Sequence, residues 1–155
     1  MENRKRLHDY SLVMILLSVL GTFNFALTAI GSIVDGSLKS AFATVDASIL
    51  TAVKIVFGFV AALMVLLVLA EVFIGLKGLK VSREPNADKG YITITKIFLV
   101  LNIIVIPSYV LSLVNNTAPV VDTVLSLINA GLDIVIYALF IKYASAVRKD
   151  FLANK

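Results

Sequence analysis

Five polar side chains interrupt an apolar stretch near the carboxyl end of the chain. In residues 121–137, VDTVLSLINAGLDIVIY, they are Asp122, Ser126, Asn129, Asp133 and Tyr137, at steps of four, three, four and four. At about 100° per residue all five fall within roughly 80° of one helix face. Two carboxyls, an amide and two hydroxyls on one stripe offer oxygen atoms that could hold a cation, pass a proton or line a route for a polar solute. The same groups could serve instead as glue between helices, at about 0.6 to 2 kcal/mol per hydrogen bond in a membrane. Both readings stand at this point.

Depth selects partners for these groups. With a rise of about 1.5 Å per residue and span centres near Val65, Asn102 and Gly131, Glu71 and Lys96 both lie roughly 9 Å to the same side of the midplane and are expected to form an ion pair or to snorkel to the interface. Lys54 and Asp122 lie roughly 14 to 17 Å to the other side. Asp133 lies near the midplane with no basic residue at its level, and its expected neighbours are Asn102 and Asn129. A carboxyl in that position stays protonated, is wetted by a cavity or holds a cation. Below Tyr137 the same face continues as Phe140 and Ala144, so a polar crevice would open toward Asp122 and close at Tyr137.

Catalytic signatures are missing. The chain has no HExxH, no GxSxG, no glycine-rich phosphate loop and no cysteine, so no enzyme activity, cofactor or metal site is expected. His8 has no second ligand at metal-binding spacing.

The elements that must position the stripe are read from hydropathy. The 155 residues are 59% hydrophobic and 15% charged, with a mean hydropathy of +0.97, well above an ordinary soluble domain. The longest polar interruption, 77–90, is too short to fold alone, which leaves one membrane domain over 1–155. Four spans are expected over about 10–30, 51–76, 91–114 and 119–143, with a short interfacial helix over 38–48. Pro107 falls inside the third span, where membrane helices tolerate it. Ser11 and Ser18 mark a small-residue face on the first span, as Gly58 and Ala61 do on the second. Tyr10, Tyr91 and Tyr143 read as an aromatic belt at one interface.

Twelve of the fourteen Lys and Arg lie in or beside the amino terminus, the 77–90 loop and the carboxyl tail. By the positive-inside rule those segments, and both termini, are cytoplasmic, in what is expected to be the plasma membrane. The net charge of +4 is spread around apolar spans and forms no patch of the kind that binds nucleic acid. The partners expected are membrane lipids, a second copy of the chain or a larger membrane complex. In length and number of spans the chain is similar to small multidrug-resistance exporters, a resemblance that implies a cation-binding glutamate in the first span. Residues 10–30 contain no acid, so the family's defining residue has no counterpart there. The fold expected is an all-α, antiparallel four-transmembrane-helix bundle. Its role is a non-catalytic structural or accessory subunit, or else a small transporter or channel using Asp133.

Overall fold

The computed structural model describes residues 1–34, 47–115 and 119–154 of the chain. It is all-helical, with α1 at Glu2–Val34, α2 at Ala47–Arg83, α3 at Gly90–Val114 and α4 at Val120–Ala153. Three stretches are long and apolar enough to cross a membrane: Gly58–Arg83, Gly90–Val114 and Val120–Ala153. The described side chains of the first helix, over 2–23, do not contain such a stretch. Few of the side chains in the three stretches are buried against protein. Phe59, Leu66, Ile104 and Val121 are each more than 60% exposed, a surface that apolar lipid solvates and water does not. The interfacial helix expected over 38–48 falls largely outside the described residues, and Ala47 and Ser48 belong to α2.

The helices run further than the spans expected for them. α1 starts at Glu2, and α4 continues to Ala153, where polar tails are expected from composition. The extensions are held by packing: Leu7 in the first and Ala144 and Val147 in the second are each no more than 2% exposed. The Glu2–Arg6 ion pair at 2.8 Å adds an i,i+4 contact on the first turn of α1.

Chain chemistry accounts for the ends. α2 stops at Arg83, two residues before Pro85, because the residue preceding a proline is driven away from helical dihedrals. Its last turn is capped from a distance. Arg4 donates from Nε to the Ser82 carbonyl at 2.8 Å and from a terminal nitrogen to the Arg83 carbonyl, placing a cation at the negative end of the helix dipole. Between α2 and α3 the side chain of Asn86 accepts from the Asp88 amide at 3.0 Å. Asp88 in turn accepts from the Gly90 amide at 2.9 Å, so two consecutive Asx turns deliver the chain to α3. α3 runs through Pro107. Pro119 leads into α4, and Asp122 places an acid in that helix's first turn.

The chain divides into two compact units, Met1–Met14 with Ile74–Lys155, and Ile15–Phe73. In the first unit the partners run in opposite directions along two successive pairs of helices. Tyr91 meets Phe140 edge-on at 5.9 Å and Phe98 meets Tyr137 edge-on at 6.2 Å, which makes α3 and α4 an antiparallel pair. Arg4 reaches Ser82 while Ser11 lies against Gly78, so the ends of α1 and α2 in this unit are antiparallel too. The tightest point is Gly78. A methyl group there would run into the Ser11 hydroxyl and sit 2.6 Å from Cε2 and 2.8 Å from Cζ of Phe140. Ser11, Phe140 and Ala144 around it are fully buried. Ser11 spends its hydroxyl on the Leu7 carbonyl at 2.6 Å and Thr95 spends its own on the Tyr91 carbonyl at 2.8 Å, so neither brings an unsatisfied polar atom into the core. Gly58 of the second unit is different, since nothing lies within 4 Å of a Cβ added there.

Tyr91 and Tyr143 do not form an exposed belt. Both are buried, at 2% and 8% exposure, and Tyr10 stacks on Tyr143 with ring centroids 5.5 Å apart and planes 8° from parallel. The belt reading treats each tyrosine as a lone interfacial side chain, whereas the helices here extend far enough for the rings to pack on one another.

Gly78→Ala should destabilise the chain by about 1–3 kcal/mol through overpacking against Phe140. Phe140→Leu should recover part of that loss when combined with it, a non-additivity that a double-mutant cycle of thermal midpoints in detergent would measure.

Candidate functional site

α4 has two faces. Thr123, Ala130, Tyr137, Phe140, Ala144 and Val147 are buried and share one side of the helix. At the level of the polar stripe the buried positions are Thr123, Ala130 and Tyr137, centred roughly 60° around from the stripe at 100° per residue, and further along the helix the stripe's own face continues as the packed Phe140 and Ala144. Tyr137 belongs to both.

The stripe residues differ in environment. Asp122 is exposed and its backbone carbonyl accepts from the Ser126 hydroxyl at 2.8 Å. Ser126 is half-buried and Asn129 is exposed. Asp133 is half-buried and is engaged with a partner. Tyr137 is 4% exposed, with its ring against Phe98. On α3, Asn102 is half-buried and donates from Nδ2 to the Phe98 carbonyl at 3.1 Å. The pairings of 91 with 140 and 98 with 137 set a register that brings Asn102 level with the turn at 129–133.

Ser126 and Asn102 therefore send their donors back to their own helices. That arrangement satisfies each group where a bilayer supplies no water.

Glu71 and Lys96 belong to different units. Glu71, in the second, is half-buried and accepts from the Ser18 hydroxyl at 2.8 Å, Ser18 being 6% exposed. Thr22 donates to the Ser18 carbonyl at 2.7 Å, which extends this polar patch by a turn along α1. Lys96, in the first, is exposed. The side chain of Lys54, matched in depth to Asp122, lies outside the described residues.

A second cluster escapes a reading by spans. Arg6 donates to the Tyr143 hydroxyl at 3.2 Å and its guanidinium carbon lies 5.6 Å from the Tyr143 ring centroid. Lys142 Nζ lies 5.5 Å from the same centroid. Glu2 first, and then Tyr143, hold the Arg6 guanidinium above its ordinary pKa. The only trace of this cluster in the sequence is a basic residue near an aromatic one at each end of the chain, 137 positions apart. Nothing in a linear pattern joins two such pairs.

Comparison of the chain with protein-family models, with curated proteins and with solved structures yields no significant match.

The partners described here separate two kinds of polar residue. Ser126→Ala and Asn102→Leu should each move the stability by no more than about 0.5 kcal/mol, because each removes a bond within one helix. Ser18→Ala should cost about 1–2 kcal/mol, because it takes a donor from a half-buried carboxyl. Unfolding of the three variants by SDS titration in bicelles would show the contrast.

Proposed function

We propose that the chain is a four-span integral membrane protein of the plasma membrane, with both termini and the 77–90 loop cytoplasmic, and that it serves as a non-catalytic structural or accessory subunit. The observation that carries this reading is where the polar groups of the apolar helices spend their hydrogen bonds. Ser18 bonds Glu71 on another helix, the behaviour of a group that holds helices together, while Ser126 and Asn102 bond their own helices. The first crossing is supported by the apolar run 10–30 and by the 33 residues of α1, about 50 Å of helix. Twelve of fourteen basic residues on one side support the orientation. The partner of such a subunit is a second copy or a larger membrane complex, which the mass of the detergent-solubilised particle would distinguish.

A second reading rests on Asp133. A half-buried carboxyl in the middle of an apolar helix, with Asn129 exposed one turn away and Asn102 level with it, fits an ion, proton or solute route that runs out to Asp122.

Two measurements test these readings. The chain lacks cysteine, so single cysteines introduced at Asn86 and at Asn115 should label from opposite sides of the membrane, the first only after the cytoplasmic side is opened. Asp133→Asn should leave the fold intact and change only its stability. Cation- or proton-coupled flux in liposomes that is present in the wild type and abolished by this substitution would favour the transport reading instead.

A further inference from the structure

We propose that the seam between α1 and α4 at Tyr143 binds the phosphate of an anionic phospholipid headgroup. The inference rests on the membrane reading above and adds a ligand at the cytoplasmic boundary.

The donors are in place. Arg6 has five N–H donors. Two of its nitrogens bond the Glu2 carboxylate, at 2.8 and 3.0 Å, and one N–H goes to Tyr143. Two donors therefore stay without a protein acceptor among the described residues. Lys5 and Lys142 are exposed, and neither has a carboxylate partner among the described ion pairs. Arg6 and Lys142 each lie within 5.6 Å of one ring centroid, which gathers both cations around the same tyrosine. The stacked rings of Tyr10 and Tyr143 hold them there.

The surroundings suit a lipid in particular. Glu2, Lys5, Arg6, Asp9, Tyr10 and Val13 line a groove beside this seam. Its two acids are already engaged, Glu2 with Arg6 and Asp9 with His8 Nδ1 at 3.5 Å. On its apolar side the groove is lined by Val13, which is 38% exposed and would lie along an acyl chain. Charge at this end of the molecule favours an anion. Residues 1–10, 77–96 and 142–155 hold twelve basic side chains against five acidic ones, a net of +7. A headgroup phosphate of the anionic leaflet sits at this level, where each nearby basic residue strengthens binding about fivefold.

The test uses the full chain in a mild neutral detergent, titrated with phosphatidylglycerol or phosphatidylcholine, with the thermal midpoint read by circular dichroism. The wild type should gain stability from phosphatidylglycerol and not from phosphatidylcholine. Arg6→Gln combined with Lys142→Gln should need about 30-fold more phosphatidylglycerol for the same gain, at about fivefold per cation. Lys80→Gln combined with Lys89→Gln removes equal charge from the same end but away from the seam, and should weaken the response far less than the Arg6 and Lys142 double variant. Each variant is read against its own lipid-free midpoint, so the stability lost with the Arg6–Tyr143 bond does not enter. Arg6→Lys keeps the charge and should retain most of the response. Equal weakening of both double variants would mean a diffuse field, and full stabilisation by inorganic phosphate at the same concentration would mean a simple anion site. Either result, or an equal gain from phosphatidylcholine, overturns the proposal. A chain that does not float with liposomes defeats the membrane reading as well, whereas one that floats but ignores headgroup charge defeats the lipid site alone.

Discussion

Helices whose outward faces are as apolar as lipid gain little by hiding those faces from it, so what holds them is how closely their backbones approach. In the larger unit that approach is made at Gly78. The missing side chain lets Phe140 lie against the α2 backbone, with Ser11 alongside and Ala144 one turn further down α4. The rest of the unit follows from this contact. Phe140 at that depth presents its ring to the Tyr91 edge, which sets the register of α3 on α4. The approach of α1 to α2 brings Arg4 within reach of the last carbonyls of α2. A larger residue at position 78 would alter three helix pairings at once.

The second constraint is the treatment of polar groups. Hydroxyls at Ser11, Thr95, Thr123 and Ser126 each donate to the carbonyl four residues earlier. Such residues act as small side chains with a private hydrogen bond, and they can be placed in apolar helices without a partner elsewhere. Glu71 is the contrasting case, because a carboxyl cannot be satisfied by its own helix and takes a donor from Ser18 on another. The chain thus uses serine in two ways, and the two are told apart only by what lies opposite.

Hydropathy alone located the second, third and fourth apolar helices, because a bilayer requires a run of a length that a sequence displays directly. The helix ends were less legible. Composition assigns residues 1–9 and 144–155 to tails, and only contacts such as Leu7 and Val147 in the core show why those segments are helical. The stripe on α4 was visible as a pattern, but its offset from the packed face was not. That offset depends on which α4 residues meet Phe98 and Tyr91, and a periodicity has no knowledge of its neighbours. For Glu71 the partner described is Ser18, which matching depth along the chain does not single out. Depth fixes the level of a group and says nothing of its direction around the helix.

The contacts that join the first helix to the others bear on how the molecule comes to be assembled. Asn3 donates to Asp150 at 3.3 Å across 147 positions, Arg6 to Tyr143 across 137, and Arg4 to Ser82 across 78. Residues synthesised early are thus fastened by residues synthesised well after them. During translation the opening turns of α1 have nothing of the final structure to hold except α2, and the aromatic stack of Tyr10 on Tyr143 cannot form until nearly the whole chain has been made. Closure of this end is a late step that bridges long sequence separations, the kind of contact that is slow to form. A truncation from Tyr143 onward would therefore unfasten the opening turns of α1 as well as shorten α4.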